Sequence, residues 1–225
     1  MRAPISVIIP TFNAEHSLPA CLGGLMEGVD AGVIRELIVS DGGSTDATGA
    51  IAQAWGAEIT HGAPSRGGQL RRGCAAATGD WLLVVHADTV LQEGWSKRAQ
   101  AHLAQPEQAA WFRLAFDHSG VAAGMVAGWA NLRSRFGLPY GDQGLLISSA
   151  LYTQVGGFPD QPLMEDVAIA RALKGRLVAL DAVARTSADK YRRQGWIRRG
   201  GRNLVTLLRY FAGADVAALA AQYRR

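Results

Sequence analysis

Trp81-Leu82-Leu83-Val84-Val85-His86-Ala87-Asp88-Thr89 decides the fold. Five apolar residues in succession predict a strand buried on both faces, as inside a parallel sheet covered by helices. The run stops at His86 and Asp88, two residues apart, which leave an extended chain on the same side. At the carboxyl end of a central strand, that side opens onto the crevice where α/β sheets place ligands. A carboxylate there suits an oxygen-loving divalent cation, which can itself carry phosphates. The competing reading is structural: Asp88 caps the next turn or helix, and His86 is merely a polar strand end.

Upstream, strands at Ile5–Ile9, Glu36–Ser40 and Glu58–Thr60 alternate with helices over Ser17–Val29, through Ile51 to Trp55, and over Gln69–Ala77. This rhythm predicts a doubly wound sheet. After the first strand come Pro10-Thr11-Phe12-Asn13-Ala14-Glu15, so neither a dinucleotide fingerprint nor a Walker-type loop is present. Asp41 stands at the second strand tip beside Gly42 and Gly43. It reads either as a free carboxylate for a base or sugar, or as a simple Asx-turn. Ser44 or Thr45 can cap the following helix, and Asp46 suits its positive end. The loop carrying Arg66-Gly67-Gly68-Gln69 enters a helix and could receive a phosphate, with Arg66 at its mouth.

Downstream, Gly94–Leu103 predicts a helix and Trp111–Phe116 a strand. Gly120–Ser134, with Val121, Met125, Val126, Trp129 and Leu132, predicts a helix lying over the sheet. Tyr140-Gly141-Asp142-Gln143-Gly144 opens a strand at Leu145–Ser148. Glu165 and Asp166 start a helix ending near Gly175. Adjacent acids there either complement the helix dipole or turn one carboxylate into a cleft as a base. Leu177–Leu180 is a further strand, and the segment after it is strongly basic. From Trp196 to Phe211, Ile197, Leu204, Leu207, Leu208 and Phe211 share one side, with arginines elsewhere. Packing on the domain or pairing with another subunit is favoured over lying on an anionic membrane. No reading motif accompanies the charge, which speaks against nucleic acid.

The 225 residues are 48% hydrophobic and 19% charged, as expected for one globular core with a small extension. A net charge of +4 fits phosphorylated or anionic partners without choosing among them. Cys21 and Cys74 have no metal-ligand spacing and suit a reduced compartment. With no apolar run near 18 residues and strand residues by Ile5, a cytoplasmic protein is expected.

Taken in order, several stretches resemble the family 2 glycosyltransferases, the inverting GT-A type. They are Ser6-Val7-Ile8-Ile9-Pro10-Thr11, Val39 to Asp46, Arg66-Gly67-Gly68-Gln69, His86-Ala87-Asp88, Gly156-Gly157-Phe158, Glu165-Asp166 and Arg192-Arg193. The chain is most similar to a short bacterial subgroup of uncertain substrate. Its hallmarks resemble His86-Ala87-Asp88-Thr89, Tyr140-Gly141-Asp142-Gln143 and Pro162-Leu163-Met164-Glu165-Asp166. The resemblance implies an α/β GT-A fold: a Rossmann-like, mostly parallel sheet with helices on both faces and a small C-terminal helical extension. Residues 1–190 would form the domain, with a donor half to about 90 and an acceptor half to about 190, and 191–225 the basic extension.

The resemblance also implies a nucleoside-diphosphate sugar as donor, an acceptor hydroxyl, and Mn²⁺ or Mg²⁺. Pro10, Thr11 and Glu15 would line the nucleotide cleft, Asp41 would accept from the base, and Arg66 would approach the base or phosphate. Asp88 would hold the metal, and Asp166 would be the general base with Glu165 its rival. Arg192 or Arg193 would bind the leaving diphosphate. His86 departs from the pattern, since it stands where the family has the first acid of Asp-x-Asp; its imidazole would meet the ribose or a metal-bound water. Trp129, Tyr140 and Asp142 are candidate acceptor contacts. A lipid-linked acceptor, peripheral contact with the inner membrane face through the basic segment, and a homo-oligomer stay open. The competing readings are a sugar-nucleotide nucleotidyltransferase and a non-catalytic nucleotide-sugar-binding subunit.

Overall fold

The computed structural model describes residues 2–223. In chain order the elements are β1 (Ile5–Thr11), α1 (Leu18–Asp30), β2 (Ile34–Asp41), α2 (Thr48–Ala54), β3 (Glu58–His61), α3 (Arg66–Ala76) and β4 (Trp81–Val84). Next come β5 (Thr89–Leu91), α4 (Trp95–His102), β6 (Ala109–Phe116), α5 (Val121–Arg135), β7 (Leu145–Ser148), α6 (Ser149–Gln154), α7 (Glu165–Ala172) and β8 (Leu177–Thr186). Helices α8 (Asp189–Gln194), α9 (Trp196–Phe211) and α10 (Val216–Tyr223) follow.

One sheet runs in the order β3-β2-β1-β4-β7-β6-β8-β5. Strands β1 to β4 are mutually parallel, and β6 pairs in parallel with β8. Only β7 and β5 run against their neighbours. This is the mixed, mostly parallel GT-A architecture.

The alternation of side chains along the central strands sorts them onto two faces. Ile5, Val7 and Ile9 of β1 join Leu83 and Val85 in a core shared with Leu18, Leu22 and Leu25 of α1 and Trp95 of α4. Ile8, with Leu82 and Val84, enters a second core against Leu70 and Cys74 of α3 and Ile147 of β7. Both faces of Trp81–Val84 are therefore buried, as the apolar run demands. Pro10 lies within β1, opposite Ser40, instead of ending it.

The chain leaves β4 at Val85 and turns, Thr89 N–H donating to the His86 carbonyl, before β5 crosses to the far edge of the sheet. His86 and Asp88 thus sit on a turn and not on an extended strand. Helix α2 starts at Thr48, later than a Ser44 or Thr45 cap would place it; Asp46 accepts from the Thr48 amide. Helix α5 buries Ala123, Ala130 and Ser134, while Val121, Met125, Trp129 and Leu132 are exposed. Its apolar stripe faces away from the sheet, which corrects the expectation that those residues cover it. The C-terminal helices pack back on the domain: Leu207, Leu219 and Ala220 against Leu163 and Val167, and Tyr191 and Trp196 against Phe116.

Candidate active site

A cleft of about 620 Å³ opens at the carboxyl ends of β1 and β4, where parallel strands leave their loops. Pro10, Thr11, Phe12, Arg66, His86, Asp88, Tyr140, Gly141, Asp142, Glu165 and Asp166 all line it. Lys190, Tyr191, Arg199, Asn203 and Tyr223 contribute from the C-terminal helices.

The second wall is built around Gln143. Its side chain accepts from Ser134 Oγ (2.5 Å) and the Tyr140 amide (3.3 Å), and donates to the Phe112 carbonyl (3.3 Å). This fully buried amide fixes the turn 140–143. Gly141 then presents its amide to Asp166 Oδ2 at 3.0 Å. A Cβ at Gly141 would stand 2.5 Å from two atoms of the His86 ring, so only glycine lets the backbone lie against that imidazole. Burial, and then the charge of Arg66, pull the His86 pKa down to about 4. That shift favours a neutral imidazole in the cleft.

Glu165 and Asp166 are separated by their surroundings. Met164, in the left-handed conformation (φ 62°), turns the chain into α7. Glu165 is 1% exposed and its Oε1 lies 3.0 Å from Arg66 Nε. Burial and the adjacent Asp166 push its carboxyl up, with Arg66 pulling the other way. Asp166 accepts one backbone amide on each oxygen, from Gly141 and from Val167 (2.7 Å), leaving lone pairs toward the cleft. Asp142 is pushed up to about 6 by burial, against the pull of Arg133, and its buried Oδ1 has no partner.

Other expected site residues are occupied elsewhere. Asp41 accepts from Thr11 Oγ1 (3.0 Å), the Gly43 and Ser44 amides (2.9 and 2.8 Å) and Ser44 Oγ (2.5 Å). Burial opposes ionisation, but the Ser44 and Thr11 bonds outweigh it and hold the carboxyl below its usual range. With four donors, Asp41 makes the contacts of an Asx-turn. Glu15 points to the start of α2, accepting from the Ala47 amide at 2.9 Å. Arg66 is paired with Glu165, and the amides of 67, 68 and 69 are taken by the Gln161 carbonyl, Ser65 Oγ and the Ser65 carbonyl. Those three amides leave no spare donor for a phosphate. Arg192 and Arg193 are exposed and outside the cleft lining. A turn of about 100° per residue carries them off the side of α8 that Lys190 and Tyr191 present.

In their place a C-terminal network covers the cleft. Arg199, 7% exposed, donates to Gln194 Oε1 (3.1 Å) and to the Tyr223 hydroxyl. Asn203 donates to the Tyr191 hydroxyl (3.1 Å) and accepts from Tyr223 (3.0 Å). Lys190 Nζ lies 3.8 Å from Asp88 Oδ2. No group of three or more His, Cys, Asp or Glu able to hold a metal occurs among the described residues. Asp88 alone fits a Mg²⁺- or Mn²⁺-type ion whose remaining ligands are waters and substrate phosphates. Burial pushes the thiols of Cys21 and Cys74 up to about 12, which disqualifies them as nucleophiles.

The model of glycosyl transferase family 2 matches residues 6–138, from β1 to the end of the α5 segment. The chain belongs to this family. Within it, the PGL/p-HBAD biosynthesis glycosyltransferase of Mycobacterium tuberculosis is 40% identical over 101 residues, 41% of this chain and 39% of that protein. A TPR repeat-containing protein of Synechococcus elongatus is 38% identical over 112 residues, 48% of this chain and 26% of that one. This glycosyl transferase family 2 chain thus spans well under half the length of those relatives.

The same fold occurs in Staphylococcus aureus TarS (TM-score 0.64, 18% identity, 96% of this chain and 41% of that one). It occurs also in M. tuberculosis glucosyl-3-phosphoglycerate synthase solved with Mn²⁺, UDP and glucosyl-3-phosphoglycerate. That match has a TM-score of 0.58 and 22% identity over 82% of this chain and 70% of the other. The family match ends before Tyr140, so the second wall and the C-terminal cover lie outside the matched segment. Lys190, Arg199, Asn203 and Tyr223 escape a sequence reading. Only the run of aromatic and basic residues after 188 hints at them, and that run does not say which members turn inward.

Proposed function

We propose that the protein transfers a sugar from a nucleoside-diphosphate sugar to an acceptor hydroxyl, with inversion at the anomeric carbon. The observation that carries this reading is that Asp88 and Asp166 enter one cleft from separate elements, while the neighbouring Glu165 is tied to Arg66. In this reading one carboxylate serves a phosphate-bound cation, and the other takes a proton. The complex of the mycobacterial synthase with Mn²⁺ and UDP supports a nucleoside diphosphate as the leaving group here.

In this reading the nucleotide lies along Pro10, Thr11 and Phe12, and the 55% exposed Phe12 ring offers a face for the base. His86, neutral, hydrogen-bonds the ribose. Asp88 would hold Mn²⁺ or Mg²⁺, which supplies charge neutralisation at the diphosphate. Lys190 and Arg199 add positive charge from the chain itself. The acceptor hydroxyl loses its proton to Asp166 as its oxygen forms the bond to the anomeric carbon. The bond from that carbon to the diphosphate oxygen breaks, and the diphosphate leaves with the electron pair. It departs as a stable anion, so one base suffices and no acid is needed. Asp142 Oδ1, a buried acceptor without a donor, receives a hydroxyl of the bound sugar or acceptor.

Calorimetric titration of UDP, GDP, ADP, TDP and CDP, with and without Mn²⁺, tests the donor site. One diphosphate binds in a metal-dependent manner, and Asp88→Ala weakens that binding at least about ten-fold. Equal binding by the variant moves the donor site away from the β4–β5 turn.

A further inference from the structure

Helix α9 is largely inside out: Leu207 departs from the expected apolar side and packs inward, while the rest of that side looks out. Its polar residues Arg199, Asn203 and Thr206 face the protein, the first two on the cleft. Its outer side carries Ile197, 92% exposed, with Leu204, Val205, Leu208 and Phe211. Ile197, Leu204, Leu208 and Phe211 recur at the helical period, so they form one stripe. A water-facing helix normally has the opposite arrangement.

Helix α5, packed against α9, repeats the inversion. Inward, Asn131 bonds both the amide and the carbonyl of Leu114, and Ser134 bonds Gln143. Outward stand Val121 (82% exposed), Met125, Trp129, Leu132 and, just past the helix end, Phe136 (79%). Helix α9 therefore walls the cleft with polar side chains, α5 turns Asn131 and Ser134 into the fold behind it, and both present large apolar side chains to solvent. Scattered exposed apolar residues need no explanation, but nine on two adjoining helices, with Phe136 beside them, do.

The charge on these helices names the occupant. Neither α5 nor α9 contains Asp or Glu, whereas Arg135, Arg198 and Arg209 are exposed on them, and Arg192 and Arg193 on the adjoining α8. A second copy meeting this face across a two-fold axis would set arginines against arginines with no acid on either helix to pair them. An anionic lipid surface answers both features. Its phosphates meet the arginines, and its headgroup–acyl boundary accepts Trp129, Ile197 and Leu208. No described helix is long and apolar enough to cross a membrane.

We propose that the outward face of α5 and α9 docks this protein peripherally on an anionic membrane, with the cleft on the inward side of α9. The proposal stands apart from the transfer reading and does not require the acceptor to be a lipid.

Flotation of the full chain with vesicles tests it. Equal-part phosphatidylcholine–phosphatidylglycerol vesicles should carry the protein up, pure phosphatidylcholine vesicles should not, and high salt should release it. Ile197→Asp with Leu208→Asp should abolish flotation while circular dichroism and nucleotide binding stay unchanged, since both side chains face solvent. Arg198→Gln and Arg209→Gln should each weaken binding roughly five-fold. Failure of the unmodified chain to float overturns the proposal, as does undiminished flotation of the Ile197/Leu208 variant. A dimer in sedimentation experiments that the same double variant dissolves would also overturn it, assigning the face to a second copy.

Discussion

Asp166→Asn lowers the rate of sugar transfer by about 10²–10⁴-fold, the usual worth of a positioned general base, and leaves donor binding intact. The separation of the two effects follows from the contacts. With its carbonyl oxygen turned to the Gly141 amide, asparagine keeps the turn against His86 in place and gives up only the Val167 amide bond, which its NH2 cannot accept. What disappears is the ability to take a proton from the acceptor. Glu165 cannot substitute, because it is 1% exposed and held by Arg66. Measuring transfer rate and nucleotide affinity on the same preparation checks both halves. A variant within about ten-fold of the parent rate would remove Asp166 from the base role.

Arg66→Met destabilises the fold by about 2–4 kcal/mol at pH 8, and clearly less at pH 5. Arg66 is itself 44% exposed, so losing its own packing costs little. The cost lies in Glu165, whose two buried carboxylate oxygens have no hydrogen-bond donor beyond the ion pair. Without the guanidinium, ionised Glu165 is an uncompensated charge, and its carboxyl is pushed up further than burial and Asp166 already push it. The sign follows from linkage. A carboxyl whose native pKa exceeds its unfolded value folds without penalty when protonated, below the unfolded pKa. Stability is then lost as pH rises from there through the native pKa. Thermal unfolding at pH 8 should show a drop of roughly 5–10 °C, shrinking at pH 5. An equal drop at both pH values would mean that Glu165 carries no charge in the parent protein.

Periodicity in the sequence located the sheet. The run Trp81–Val85, the alternation in β1 and the βα rhythm are local signals, and the burial of both faces of β4 answers to them. His86, Asp88 and Asp166 were legible for a related reason: strand ends and helix starts bring their residues to the same rim of an α/β fold. Partner choice is not local. Whether Asp41 is free depends on Thr11 and Ser44, and whether Glu165 is a base depends on Arg66, a hundred residues earlier. Nor does a helical stripe say which way it looks. Ile197, Leu204 and Leu208 share a side in any helix, but only the position of Arg199 and Asn203 on the cleft turns that side outward. The same rotation explains why Arg192 and Arg193, adjacent to Lys190 in sequence, lie outside the site.

The stereochemistry of the transferred sugar tests the central claim most directly. Once a productive donor and acceptor pair is found in a panel of nucleotide sugars, the anomeric configuration of the product is read by proton NMR as it forms. A single displacement assisted by Asp166 predicts the configuration opposite to that of the donor from the first turnover. A product that keeps the donor's configuration would contradict the one-base mechanism, and with it the assignment of Asp166 and Asp88 to a single inverting step.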